Sequence, residues 1–349
     1  MDWDTLDWSA LDRLRAGFLD ARPTDAPYWQ RESDLAAYDL TYAERIGWKW
    51  DAVLSELARR GWRPRSRTVL DWGCGSGVAA RRVLAAFGGT AACDHLRLWD
   101  HSPLARDFAA RRARETFPGL AVSADTDPSA DDAPVGLLLV SHVLNELGPA
   151  QRDRLLALVA RAEEVIWVEP GTHAVGRDLA ALRDRFNGPF NLVAPCPHAA
   201  PCGLFAAGQE RDWCHFFAPP PPALPANPKW VRFAQRAGID LRSLPYSFLV
   251  LDRAPLATPP PADAGRIIGR PDVMKPYARF LACEAAGLAM RELPKRTDAA
   301  LVKALSKHPP APLYRWTHQG GRITAIETLV PAPGSPASAA TDSPDNGGA

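Results

Sequence analysis

Residues 68–88, TVLDWGCGSGVAARRVLAAFG, limit the fold more than any other stretch of this chain. A short apolar run ends at alternating glycines, and apolar residues then recur at three- and four-residue spacing. Such a strand turning into a helix over glycines opens a βαβ unit. Glycine lets the backbone take positive φ and approach a ligand, and the first turn of the helix offers free amides. The same rhythm continues downstream. LRLWD (96–100), GLAVSAD (119–125), VGLLLVSHVL (135–144) and EEVIWVEPG (163–171) read as buried strands, with PLARDFAARRARETF and QRDRLLALVARA as helices between them. This alternation predicts an α/β fold with a parallel, doubly wound, Rossmann-like sheet.

Around that core, five regions are expected. Residues 1–67 carry helical spacing in LDRLRAGFLDAR and LTYAERIGWKWDAVLSELARRGW, and residues 68–172 form the Rossmann-like core. Residues 173–243 read as an insertion rich in Cys and His, followed by the proline run PPPPALPANP. Residues 244–330, beginning with the strand YSFLVLDRA, are expected to complete the sheet through RIIGRP, ARFLACEA and YRWTHQGGRITAIET. The tail 331–349 has almost nothing to bury and is expected to be disordered. A net charge of +1 gives no global attraction to nucleic acid or membrane, so any basic surface must be local. The acidic start MDWDTLDWSALDRL resembles no targeting signal, and no apolar run reaches 18 residues. A reducing cytoplasm is the expected compartment, where cysteines serve metals or chemistry more often than bridges.

Asp71, Gly73, Gly75 and Gly77 form the acidic-x-Gly-x-Gly-x-Gly pattern of S-adenosylmethionine (SAM) methyltransferases. Val78 stands where a dinucleotide-binding motif would have its third glycine. SAM has a zwitterionic amino-acid end and no pyrophosphate. Asp71 suits its ammonium, and the loop amides suit polar atoms near the ribose. Asp100 ends the second strand, where a carboxylate accepts ribose hydroxyls. Asp125 ends the third, within reach of the adenine amino group. The plain alternative makes the glycines a tight turn and the aspartates helix or turn caps. After the fourth strand, Asn145 and Glu146 are expected at the ligand crevice as candidate catalytic groups, the plain alternative being a helix cap and a surface carboxylate, whereas His142 in its apolar run reads as a core histidine.

Cys196, Cys202 and Cys214 lie with His198 and His215 within 20 residues, in a chain of six cysteines. Prolines between them make this rigid loop, and grouped thiolates suit a soft metal. A zinc ion would take His198 or His215 as a fourth ligand, whereas an iron–sulfur cluster would recruit the distant Cys283. A third reading makes Cys196 a nucleophile. Local spacing does not separate zinc from iron–sulfur.

VLDWGCGSG, SHVLNELGP, VIWVEPGT, APCPHAAPCGL and DWCHF, in that order, resemble the methyltransferase-like proteins of the mitochondrial small ribosomal subunit and their bacterial homologues. The resemblance covers residues 65 to 290 or so. It implies a [4Fe–4S] cluster on Cys196, Cys202, Cys214 and Cys283, and action on the small ribosomal subunit or its rRNA in assembly or translation. The expected function is therefore that of a SAM-dependent methyltransferase-like protein. The alternatives are a non-catalytic assembly factor that keeps the SAM fold, and a zinc-containing methyltransferase of a small molecule. An RNA partner asks for local positive charge, and residues 266–307 hold nine Arg and Lys against four acids.

Overall fold

The computed structural model describes residues 3–20, 29–124, 127–129 and 133–329. Helices α1 (Trp8–Asp20), α2 (Glu32–Leu40) and α3 (Tyr42–Arg59) come first. Helix α3 buries Trp48, Trp50, Val53, Leu54 and Leu57, the face its spacing predicts. The alternating region follows as β1 (Thr68–Trp72), α4 (Val78–Phe87), β2 (His95–Trp99), α5 (Pro103–Thr116), β3 (Ala121–Ser123), β4 (Val135–Ser141), α6 (Pro149–Arg161) and β5 (Ala162–Pro170). Then come α7 (His173–Phe186), β6 (Asn191–Ala194), β7 (Phe216–Phe217), α8 (Pro228–Ala237) and β8 (Pro245–Asp252).

These strands form one sheet in the order β3-β2-β1-β4-β5-β8-β6, with β7 added beside β8. Strands β1 to β5 run parallel, and β8 is antiparallel to both β5 and β6. Central strands are near-continuous apolar runs because helices cover both sheet faces. The chain winds outward from β1 to β3 and then returns to place β4 on the other side of β1. That reversal opens a crevice at the carboxyl ends of β1 and β4.

The remainder departs from the expectation. Only β8 joins the sheet. Strands β9 (Ala264–Val273), β10 (Tyr277–Glu284), β11 (Gly287–Pro294), β12 (Tyr314–Gln319) and β13 (Arg322–Thr328) close a separate barrel, with α9 (Ala299–Leu305) between β11 and β12. Its own core, with Phe280, Leu293, Tyr314 and Ile323 packed against Leu301, Val302 and Leu305 of α9, explains why. A chain with enough alternating apolar residues to fill a barrel can close on itself and leave no open edge. Residues 173–243 are likewise more than an insertion, since α7, β6 and α8 belong to the main fold. The tail 331–349, expected to be disordered, lies outside the described residues.

The barrel is tied to the sheet by a buried ion cluster. Both oxygens of Glu56, on α3, accept from Arg266 of β9 at 2.6 and 2.8 Å, and Oε1 also accepts from Arg60 Nε at 3.0 Å. Arg60 and Arg266 both donate to the carbonyl of Pro195, just past β6. The Arg266 guanidinium also lies 4.0 Å from the Phe216 ring centroid. Burial would raise the Glu56 carboxyl, but Arg266 and Arg60 hold it down at about 2. Because that value lies below an unfolded glutamate's, roughly 4.3, the stabilisation is complete above that pH and fades as pH falls toward 2. Glu56→Gln leaves two guanidinium groups uncompensated and is expected to destabilise the chain by about 3–5 kcal/mol. Urea denaturation at pH 7 and pH 3 checks this, because the gap between wild type and variant should shrink at the lower pH.

Candidate functional site

The crevice at the carboxyl ends of β1, β2 and β4 is a cavity of about 390 Å³. The loop after β1 forms one wall. Gly73, Gly75 and Gly77 have φ of 72°, 51° and 77°, which side chains avoid. A Cβ on Gly73 would also lie 2.7 Å from Val143 Cγ1. The carbonyl of Trp99 accepts from the amides of Gly73 and Cys74 at 2.8 and 2.9 Å, which pins the loop against β2. Asp100 holds it from the other side, with Oδ2 accepting from Gly75 N at 3.0 Å and Oδ1 from Ser102 N at 2.9 Å. Trp72 and Trp99 stack at 4.9 Å along the same wall.

Gly73, Gly75, Asp100, Asn145 and Glu146 all line this cavity. Gly77 sits behind it, capping α4 and packing against Ala109 of α5. Asp71 lies beneath the loop, fully buried, and accepts from Ala80 N at 3.1 Å. Its carboxylate therefore braces α4 and does not face the cavity, which differs from the contact expected with an ammonium group. Asp125 lies outside the described residues. Asp71 Oδ1, Trp72 Nε1 and Ser76 Oγ are buried without a hydrogen-bond partner. Of these, Trp72 and Ser76 line the cavity, so two of the orphaned polar atoms belong to residues that a ligand could meet.

The opposite wall contains groups the sequence did not single out. Lys49 of α3 lines the cavity, and its Nζ donates to His142 Nε2 at 3.0 Å. Burial, followed by the Arg45 charge, lowers Lys49 to about 7. His142, at φ 57°, is pushed well below the usual histidine range by burial and by Lys49, so its neutral ring accepts from the lysine. It faces the site and is not sealed in the core. Glu169 at the end of β5 accepts from Val143 N, Leu144 N and Trp167 Nε1, fixing the turn that carries Asn145 and Glu146. Burial raises Glu169 to about 8 and, followed by Asp100, raises Glu146 to about 7. The lysine could have been noticed as the one cation in the apolar run IGWKWDAV.

The cysteines occupy a second region, where the sheet meets the barrel. All six cysteines are free. Cys283 of β10 faces His198, with Sγ 3.5 Å from Nε2. Burial raises Cys283, and the charges of Cys196 and Cys202 add to it; Cys214 is raised by burial and then by Cys196, Cys283 and Cys202. The four thiols thus lie close enough to feel one another. Among the described residues, however, no three His, Cys, Asp or Glu groups stand close enough to hold a metal ion. Arg183 of α7 points at Cys196, Nε to Sγ 3.4 Å, and donates to His198 O at 2.7 Å. His198 Nδ1 is buried and unpartnered, whereas the His215 ring stacks on Trp213 at 4.2 Å.

A family model described as mitochondrial small ribosomal subunit Rsm22 matches residues 44–304. The chain belongs to the Rsm22 family. That family model takes in nearly all of α3, most of the cavity lining and Cys196, Cys202, Cys214 and Cys283. Its mitochondrial description does not agree with the cytoplasmic expectation; among the described residues no helix is long and apolar enough to cross a membrane. No curated protein matches the chain. Solved structures resemble it only weakly. The N-methyltransferase NodS of Bradyrhizobium japonicum, with S-adenosyl-L-homocysteine (SAH), is 13% identical at a TM-score of 0.36, covering 61% of this chain and 89% of that one. The plantazolicin methyltransferase BamL, also with SAH, is 11% identical at 0.40, covering 71% and 100%. The 16S rRNA methylase RmtB is 18% identical at 0.33, covering 54% and 69%. Scores at this level carry neither activity nor substrate across to the Rsm22-family chain.

Lys49 offers a direct check of the cavity's electrostatics. With the lysines reductively methylated with ¹³C, NMR titration should show one resonance with a midpoint near pH 7, missing from Lys49→Met. A wild-type spectrum in which every lysine titrates near roughly pH 10 would contradict the arrangement.

Proposed function

We propose that this chain is a SAM-dependent methyltransferase-like protein of the small ribosomal subunit, acting on the subunit or its rRNA and carrying a [4Fe–4S] cluster. The observation that supports SAM best is the cavity whose wall combines the positive-φ glycine loop, the Asp100 carboxylate and the unpartnered Trp72 Nε1 and Ser76 Oγ. Asp100 retains free lone pairs for the two ribose hydroxyls after holding Gly75 and Ser102. The cofactor supplies a methyl group already made electrophilic by its sulfonium. What remains for the protein is positioning and, for an acceptor that carries a proton, a base. Glu146, with its carboxyl raised to about 7, is suited to that work at neutral pH, and the exposed Asn145 beside it can orient the acceptor. Family membership supports the ribosomal partner.

For the cluster, the support is the donor set. Four free thiols from Cys196, Cys202, Cys214 and Cys283 share one region, and Arg183 and Arg266 bring positive charge toward it. Among the described residues no three such groups stand close enough to hold a metal ion, so the cluster reading rests on the donor types and their shared region. Held by four protein thiolates, the cluster would be structural, joining the loop after β6 to the barrel.

Isothermal titration should detect SAH binding to the wild type, and Asp100→Asn should weaken it by about 10–100-fold, the worth of a charge-assisted hydrogen bond. An unchanged affinity would remove Asp100 from the site, and no binding at all would remove SAM from the proposal. Anaerobically purified protein should be brown and contain iron, and Cys283→Ser should lose both colour and iron. A colourless wild type with one zinc would replace the cluster by three thiolates and His198.

A further inference from the structure

The barrel adds something that the cofactor fold does not need. Its strand order, first-second-third-fifth-fourth with a helix between the third and fourth and parallel pairing of third and fifth, is that of the oligonucleotide/oligosaccharide-binding barrel. In that architecture the outer face of the second and third strands, flanked by the first-second and fourth-fifth loops, is where a ligand strand can lie. Topology alone assigns no ligand, so the residues on that face must decide.

Here the second and third strands are β10 and β11. Arg279 stands opposite Glu292 and Leu281 opposite Met290 on their outward side. A groove of about 390 Å³ runs between them and the β12–β13 turn, lined by Arg279, Met290, Glu292, Gly320, Gly321 and Arg322. Gly320 and Gly321, at φ 53° and 85°, form a turn without side chains that leaves the backbone open to close approach. The described residues expose four large hydrophobic side chains. Met290 lines this groove, Val273 ends β9 and Met274 sits in the β9–β10 loop, whereas the fourth, Phe205, lies on the turn that packs its Gly203 against Leu288 of β11.

The charge on the barrel selects among occupants. Between 263 and 329 the sequence has eleven Arg and Lys against six Asp and Glu, although the whole chain is only +1. Arg279 and Arg322 pair with Asp272 at 3.7 Å and Glu292 at 3.0 Å, both exposed contacts. Pairs of that kind are worth little, so a phosphate can displace them. Apolar side chains among exchangeable guanidinium groups suit a flexible polyanion with bare bases, the chemistry of single-stranded nucleic acid. They suit duplex RNA less well, because its bases are stacked away.

We propose that the outer face of β10 and β11, with the β9–β10 loop and the β12–β13 turn, binds a single strand of RNA. This rests on the ribosomal reading above and adds the surface through which it acts. Bases lie against Met290 and Met274, phosphates meet Arg279, Arg322 and Lys275, and the Cys283 end of the same face is anchored by the cysteine region.

The test is fluorescence anisotropy with a fluorescein-labelled mixed-sequence RNA of roughly ten nucleotides, using the full chain. Arg279→Ser with Arg322→Ser should weaken binding by about tenfold or more and reduce the slope of log affinity against log salt by roughly 1.4. Met290→Ser should weaken binding while leaving that slope unchanged. Lys303→Ser, which does not line the groove, should match the wild type, and unchanged thermal midpoints would show that the variants fold. Equal affinity of wild type and double variant overturns the proposal, as does an equal loss in Lys303→Ser. Cosedimentation with small subunits separates the two readings. If the wild type stays soluble but binds the oligonucleotide through this face, the ribosomal reading fails alone. If the wild type cosediments but does not bind the oligonucleotide, the face is a protein contact and this inference fails.

Discussion

Buried charge is costly unless every member of the group is paired, and the Glu56 cluster meets that demand only when three parts of the chain are in place. Helix α3 brings Glu56 and Arg60, β9 brings Arg266, and the backbone past β6 brings the Pro195 carbonyl that both arginines require. Removing any one leaves a charge or a carbonyl in a dry interior. The interaction therefore specifies an arrangement as much as it stabilises one. Pro195 immediately precedes Cys196, and the Phe216 ring beneath Arg266 lies two residues beyond Cys214. The pairing that fixes the barrel thus also fixes the backbone on which two of the four clustered thiols stand.

The same helix closes the crevice at the carboxyl ends of β1 and β4. Trp50 of α3 donates to Ser141 Oγ at 3.0 Å, and its neighbour Lys49 reaches His142, so the end of β4 is held from above by one turn of helix. Desolvation then does to the site what it does to any apolar recess holding ionisable groups, moving carboxyls up and the lysine down until both titrate near neutrality. Asp71, Glu146 and Lys49 all come to about 7, and Glu169 to about 8. Arg45 and Asp100 also line the crevice, so ionisable groups of both signs face whatever enters it.

Most of the sheet was legible because its signals are local. Strand runs such as VGLLLV and the glycine loop each declare themselves within about ten residues, and the parallel order follows from the alternation. The barrel was not legible, although its strands other than β11 were, because closure depends on pairing between β9 and β12 and between β11 and β13, which no window along the chain contains. Helix α7 was hidden by its neighbours. HAVGRDLAALRDRF has a clear apolar face, but it leads into a segment whose cysteines and prolines drew the reading toward loop. At the site, residues on the glycine loop and after β4 could be named from position. Lys49 and Glu169 could not, because their roles come from tertiary burial and not from a motif. Asp71 shows the converse, a motif residue whose carboxylate the fold spends on helix α4.

Two contacts of different chemistry join the barrel to the rest of the chain, the Glu56 ion cluster and the packing of Cys283 against His198. The Glu56 pairing is insensitive to oxidants and fails only where its carboxyl is protonated, near pH 2, far from any physiological condition. In the thiol region Cys283 Sγ meets His198 Nε2 at 3.5 Å, and burial, which raises the Cys202, Cys214 and Cys283 thiols, disfavours the thiolate that oxidants attack. Cys283 lies on the same face of β10 as Leu281 and Arg279, so the end of that face is set where the sulfur packs against His198.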